Sequence, residues 1–407
     1  MRVAFLLPGQ GSQYAGMAQD IYHANAHVRE LFECASDILD MDISKICFNS
    51  SESELIRTSV VQPVMYVAVT AFAAYYTAKY NIAPTFYAGH SMGEYAALHL
   101  AGALSFEDGL RIVSMRGKYM ENACLETTGG MLAVRCDANK LRLLLDKERR
   151  LDIWISAYND MTQCVLSGTY EGLECMTPIL KENNIPYKTL HAAGAFHSHC
   201  MNSAKDAFMP KVEDFELREF HTQVISCTTG VPYGYWGGQN FLTAQCSLVI
   251  EPVLWWQVMS YLQSRQVGLY LEVGPGRVLG NLAKKSLKDA VALSLDLEED
   301  RSQLERLLQN VRYTQTEDVT YETFLTRCIK EALSCPIRES GSASFQDGAD
   351  CFYKLENLWQ EKKNKLCFNQ AECDASLLLL KQILHAKGYS QDEITHRVNL
   401  LTRSRKW

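Results

Sequence analysis

The chain has 407 residues, 47% hydrophobic and 21% charged, a composition that can bury a large core and suits two or three domains. Its formal net charge is −7 and its Lys and Arg residues are scattered, which leaves no basic face for nucleic acid. Fourteen Cys residues are spread singly with no CxxC pair, the apolar run in MRVAFLLPGQ is short for a signal peptide, and no apolar stretch is read as reaching the ~18 residues of a membrane helix. A reduced, cytoplasmic, soluble protein with no membrane segment is therefore expected.

In chain order, RVAFLLPGQGS is a short apolar run stopped by Pro8, Gly9 and Gly11. YVAVTAFAAYYTAKYN reads as a buried, Ala-rich helix, TFYAG as a strand, and helical periodicity resumes after Ser91. From Gly129 the order becomes strand MLAVRC, helix ANKLRLLLDK, strands LDIWISAYN and TQCVLSG, helix YEGLECMTPILKENN and strand IPYKTLHA. That β-α-β-β-α-β order is the ferredoxin-like unit. FHTQVISCTTG and VGLYLEVGPG then read as strands flanking the helix PVLWWQVMSYLQSR. Beyond about residue 296 the pattern is helical and charged, interrupted by a linker-like RESGSASFQDGAD. The fold class expected is α/β: an α/β-hydrolase-like large subdomain (1–128 and 199–295), an inserted ferredoxin-like small subdomain (129–198) and a mainly helical C-terminal extension (296–407).

The stretch AGHSMGEYAAL places a serine in a G-x-S-x-G turn between a strand and a helix. Without side chains at Gly89 and Gly93 the strand can reverse sharply and lift the Ser91 hydroxyl clear of the backbone. The Met92 N–H then points toward an oxyanion formed on an attacked carbonyl, at the positive end of a helix. Serine needs a base, and ten His residues offer themselves. His90 adjoins the nucleophile but faces away on a strand, which makes it a packing or site-wall residue. His99 lies on the helix and reads as structural. His191, His197 and His199 cluster in HAAGAFHSHCM, and the residues alone do not choose among them. PGQGSQ reads as a polar turn, although glycines on both sides let the Gln10 backbone approach a ligand closely.

LLPGQGSQYAGM, TSVVQPVMY, AGHSMGEYAAL, SMRGKYM, AYNDMTQCVLSG, GAFHSHCM and LYLEVGPGRVLGNL occur in one order over residues 1 to 295. In this the chain resembles malonyl-CoA:acyl carrier protein transacylases and the acyltransferase domains of polyketide synthases. The resemblance implies Ser91 as nucleophile, His197 as base through its spacing to Met201, and the amides of Gln10 and Met92 as oxyanion hole. It implies a backbone carbonyl just before Pro252 as the group that orients the base. Arg116 matches the arginine that holds the free carboxylate of malonyl-CoA, a task for which a planar guanidinium with two parallel donors is suited. His90, Asn159 and Phe196 complete the implied substrate site, and a bulky Phe immediately before the base goes with unbranched malonyl units. Gly194, where HAFH is usual, resembles free-standing acyltransferases that serve polyketide synthases in trans.

The activity implied is malonyl transfer to the phosphopantetheine thiol of an acyl carrier protein, for polyketide or fatty acid biosynthesis. No cofactor or metal is implied, the partners being malonyl-CoA and a carrier protein, and a monomer is expected. The alternatives are a proofreading acyl-carrier-protein thioester hydrolase on the same fold, an unrelated esterase, and a non-catalytic adaptor acting through the C-terminal helices. In those helices Ser390 and Glu393 have capping-box spacing, and DASLLLLKQILHAK is strongly apolar. They read as folded helices, either supporting the core or docking a partner.

Overall fold

The computed structural model describes residues 2–148, 151–212, 215, 218–233, 246–287, 290–314, 321–335, 345–362 and 370–402. Its strands are β1 (Arg2–Leu7), β2 (Phe86–Gly89), β3 (Gly129–Val134), β4 (Ile153–Asp160), β5 (Gln163–Thr169), β6 (Tyr187–Thr189), β7 (Gln223–Ile225), β8 (Val267–Glu272) and β9 (Val291–Ser294). Five of them form one sheet in the order β7-β2-β1-β8-β9, in which β1 pairs in parallel with both β2 and β8, and β8 with β9. β1 is apolar at five of its six positions and buried at the same five, as a strand covered on both faces must be. The parallel register brings the C-terminal ends of β1, β2, β8 and β9 to one edge, where an open α/β sheet collects its ligand-binding loops.

Helix Thr58–Tyr80 is the main covering element and begins earlier in the chain than the sequence pattern indicates. It corrects the reading that no apolar stretch is long enough to cross a membrane: by length and composition this 23-residue helix is. Its most apolar window is 78% buried inside the protein, so it is a core helix of the sheet layer. Gly117 lets helix Phe106–Glu126 close onto it, since a Cβ there would lie 2.6 Å from the Thr58 carbonyl oxygen.

The second sheet is antiparallel, in the order β4-β5-β3-β6, with helices Ala138–Lys147 and Tyr170–Glu182 packed on one face. This is the ferredoxin-like arrangement, and it has its own core around Leu132, Leu141, Ile155, Leu166, Met176 and Leu180. The segment after it joins β4 directly: the Tyr158 N–H donates to the Val253 carbonyl and the Val253 N–H to the Ser156 carbonyl, both at 2.9 Å.

The chain separates into two compact units, the first made of Met1–Arg218, Val224–Tyr233 and Asn240–Glu305 and holding both sheets but for Gln223 of β7. The second takes in Glu219–Gln223 and the helices Tyr321–Ser334, Phe345–Lys362, Gln370–Ala386 and Gln391–Thr402. Its helices enclose a separate core of Leu325, Leu355, Trp359, Leu380, Leu384 and Ile394, among others. The capping box at the last helix is present, with Ser390 N–H donating to Glu393 Oε2 at 2.9 Å and Glu393 N–H to Ser390 Oγ at 3.4 Å. The linker expected from Arg338 to Asp350 is shorter than that: FQDGAD already belongs to helix Phe345–Lys362, and residues 338–344 lie outside the described residues. The apolar side chains that follow it, Phe352, Leu355 and Trp359, repay helix formation in spite of Gly348.

Candidate active site

β2 ends at Gly89 and helix Gly93–Leu100 starts at Gly93, so the chain reverses within His90, Ser91 and Met92. Ser91 has φ 52°, a left-handed conformation that a non-glycine residue keeps only where its surroundings hold it. The crowding explains the flanking glycines. A Cβ on Gly89 would lie 2.1 Å from the Glu94 nitrogen, and one on Gly93 2.2 Å from the Leu7 carbonyl oxygen. The loop after β1 is equally close, because a Cβ on Gly9 would lie 2.4 Å from the His90 carbonyl oxygen and 3.6 Å from the Met92 nitrogen. The backbone before Gln10 thus lies against the elbow. Among the described residues, no acceptor is bonded to the Gln10 or the Met92 amide.

The Ser91 hydroxyl lies 2.7 Å from His197 Nε2. On the far side of the ring, His197 Nδ1 is 3.1 Å from the Glu251 carbonyl oxygen. A carbonyl only accepts, so Nδ1 carries the ring proton and Nε2 is left to accept from the serine. Burial first, and then the positive charge of Arg116, push His197 down to about 3, so the ring is neutral at ordinary pH. Of the clustered histidines, His197 alone reaches the elbow. His199 is exposed and stacks on Trp154 with ring centroids 5.0 Å apart, and His191 is exposed. His99 Nδ1 is bonded to the Leu104 carbonyl, closing its own helix end.

Arg116 enters from helix Phe106–Glu126 and is only 1% exposed. Its Nη1 donates to Gln62 Oε1 at 2.9 Å and its Nη2 to Ser91 Oγ at 3.2 Å. Its Nε makes no hydrogen bond, and Tyr95, whose ring lies 5.8 Å from the guanidinium carbon, also has an unbonded hydroxyl. Nε and Nη2 share one edge of the guanidinium plane. That edge meets the Ser91 hydroxyl with donors to spare, while Gln62 holds the other end.

His90 is packed against Trp255, ring centroids 5.3 Å apart, and its Nε2 lies 3.4 Å from Asn159 Oδ1 on β4. Burial lowers His90 to about 4, so it too is neutral. Phe196 is buried immediately before His197. Gly194 faces helix Phe106–Glu126 so closely that a Cβ would lie 2.2 Å from Cys124 Sγ. Three participants have no role implied by the sequence motifs: Gln62, Trp255 and the buried Glu94, which accepts from the Cys227 N–H and the Tyr233 hydroxyl. Gln62 alone left a signal, as a polar residue interrupting the apolar run of TSVVQPVMY.

A strand, a strained serine turn and a helix on a parallel sheet, with a neutral imidazole bonded to the serine, define the class: an enzyme of serine-based acyl chemistry. The family model of the acyl transferase domain matches residues 4–245, and the chain belongs to this family. It is 31% identical over 335 residues to a malonyl CoA-acyl carrier protein transacylase of Bacillus subtilis, covering 80% of this chain and 83% of that one. It is 32% identical over 294 residues to the polyketide biosynthesis malonyl CoA-acyl carrier protein transacylase PksC of Bacillus subtilis (strain 168), covering 72% of this chain and 99% of that one. The crystal structure of a malonyl CoA-acyl carrier protein transacylase from Clostridium perfringens superposes with a TM-score of 0.73 at 27% identity, over 78% of this chain and 100% of that one.

Proposed function

We propose that this enzyme moves a malonyl group from malonyl-CoA to the phosphopantetheine thiol of an acyl carrier protein, free-standing and in trans to a polyketide synthase. The observation that carries the reading is the Nε–Nη2 edge of buried Arg116, with Nε unbonded and Nη2 on the Ser91 hydroxyl, beside the Ser91–His197 pair. A carboxylate placed there gains two charge-assisted hydrogen bonds, whereas a neutral acyl group leaves a buried cation unpaired.

The reaction proceeds in two halves. Ser91 Oγ attacks the thioester carbonyl while His197 Nε2 takes its proton, the amides of Gln10 and Met92 receive the oxyanion, and the C–S bond breaks. Coenzyme A leaves with the proton from His197. The carrier thiol then gives its proton to His197 and attacks the seryl ester, and Ser91 recovers the proton as it departs. The Glu251 carbonyl keeps the imidazole in the required tautomer throughout. Phe196 restricts room at C2 of the acyl group, and His90 and Asn159, in contact with each other, contribute to the wall of the site. The chain needs no metal or further cofactor for these steps, and it works as a cytoplasmic monomer. Its likeness to PksC and the glycine at position 194 support the polyketide role.

Mass spectrometry of the protein after incubation with malonyl-CoA tests the reading. A stable malonyl adduct on Ser91 that is discharged by holo acyl carrier protein is the expected result. Rapid hydrolysis without transfer would make the protein a thioester hydrolase, and no adduct at all would leave the helical unit as the place to look for its role.

A further inference from the structure

The loop that carries Gln10 is braced from the opposite edge of its strand by a carboxylate outside the family's matched region. Asp296 follows β9 directly. Its Oδ1 accepts from the Tyr14 hydroxyl at 2.8 Å, and its Oδ2 accepts from the Gly276 N–H at 2.8 Å. Tyr14 belongs to the loop after β1 and Gly276 to the loop after β8, so one side chain joins the loops that leave two neighbouring strands. The two loops already touch. A Cβ on Gly274 would lie 2.6 Å from Pro8 Cγ, and one on Gly276, at φ 79°, would lie 3.4 Å from the Ser12 carbonyl oxygen.

Asp296 is itself held. Arg301 Nη1 donates to the carbonyls of Leu295 and Asp296, both at 2.9 Å, which fixes the backbone from which the carboxylate projects. Burial and the Asp296 carboxylate push the Tyr14 phenol upward, so it stays protonated and able to donate. On the elbow side the same loop is tied by Gln13 Nε2 to the Leu55 carbonyl at 3.2 Å and by Gln10 Nε2 to Thr58 Oγ1 at 3.5 Å. The backbone of Gln10 therefore sits between ties to helical residues on one side and the Asp296 bridge on the other.

We infer that Asp296, through Tyr14 and Gly276, is a positioning residue that sets the Gln10 amide at the distance an oxyanion requires. This rests on the reading of Gln10 as an oxyanion donor. An oxyanion donor acts in the transition state and adds little to ground-state binding, so loosening it should lower the acylation rate and leave substrate affinity alone. Neither Asp296 nor Tyr14 touches the reacting atoms.

The test is single-turnover acylation of Tyr14→Phe, Asp296→Asn and the double variant by malonyl-CoA, with melting temperature measured alongside. Tyr14→Phe removes one exposed hydroxyl and keeps a folded protein available if Asp296→Asn is unstable. Expected are losses in the saturated rate of about fivefold for Tyr14→Phe and about tenfold or more for Asp296→Asn, a fraction of what deleting an oxyanion donor costs. The half-saturating malonyl-CoA concentration should stay within about twofold, and the double variant should be no slower than Asp296→Asn, because both act through one bridge. Unchanged rates in Tyr14→Phe, a loss residing in half-saturation, or additive losses would each overturn the inference. A wild-type protein that forms no malonyl-Ser91 would instead overturn the functional reading on which it rests.

Discussion

The Glu251 carbonyl accepts a hydrogen bond from His197 at 3.1 Å, and two residues further on Val253 pairs with Ser156 of the antiparallel sheet. The group that fixes the tautomer of His197 is thus part of a backbone strip stitched to the smaller sheet. Pro252 between them adds a fixed φ and needs no hydrogen bond of its own.

Replacement of the reacting pair should separate His197 from its neighbour. Ser91→Ala should abolish the covalent malonyl adduct. His197→Ala should slow its formation by about a thousandfold or more, general-base catalysis being worth roughly 10²–10⁴. His199→Ala should leave the rate within about twofold, because that ring is exposed on Trp154. Stopped-flow or quenched mass spectrometry of the adduct decides it, and a dead His199→Ala beside an active His197→Ala would reverse the assignment.

Arg116→Ala should lower malonyl transfer by orders of magnitude and spare or raise acetyl transfer, since breaking a desolvated carboxylate pair costs roughly 2–5 kcal/mol. Gln62→Ala should fall between wild type and Arg116→Ala, because it frees one end of the guanidinium without removing it. Competition between malonyl-CoA and acetyl-CoA reads both. Equal losses on the two substrates would remove Arg116 from substrate recognition.

The pH profile of acylation should lack a limb near the ordinary histidine value. With His197 held down to about 3 by burial and Arg116, the base stays neutral well below pH 6, so kcat/KM should be flat from pH 8 to about pH 5. Linkage has a definite sign for stability. His197 and His90, the latter lowered to about 4, are neutral in the folded protein and protonate in the unfolded chain below about 6.5, so stability is full above that pH and falls as pH drops below it. Chemical denaturation at pH 7.5 and pH 5.5 checks this, and His90→Gln should flatten the dependence.

Gly93→Ala should be among the most damaging small substitutions. The new methyl carbon would stand 2.2 Å from the Leu7 carbonyl oxygen and 2.8 Å from that of Pro8, neither of which can swing away. A loss of roughly 3 kcal/mol and of the adduct together is expected, at the upper end of overpacking costs. Guanidinium titration measures the first and mass spectrometry the second.

In the helical unit, Arg397 binds Glu219 and Glu331, the latter at 2.7 Å, and Glu219 also accepts from the Tyr389 hydroxyl at 3.0 Å. Arg397→Ala leaves two half-buried carboxylates without their cation and should destabilise this unit by about 1–3 kcal/mol. Limited proteolysis within residues 321–402 should then accelerate while the malonyl adduct on Ser91 forms at the wild-type rate.

Strand–turn–helix order, the serine elbow and the ferredoxin-like insertion were legible in the sequence because each is local: a strand or helix periodicity, glycines at a fixed spacing, a capping box four residues long. The motif order even pointed to a carbonyl before Pro252. The residue types alone could not choose among His191, His197 and His199, and it was the resemblance, through the spacing to Met201, that pointed to His197. What only the packing decided is the geometry, which sets His197 at φ 56° with Ser91 on one ring nitrogen and Glu251 on the other. Arg116 and Gln62 are 54 positions apart and Asp296 is 282 from Tyr14. Their pairing depends on Gly117 letting two helices close and on parallel strands ending at one edge, and contacts at such separations have no period in the sequence that could announce them.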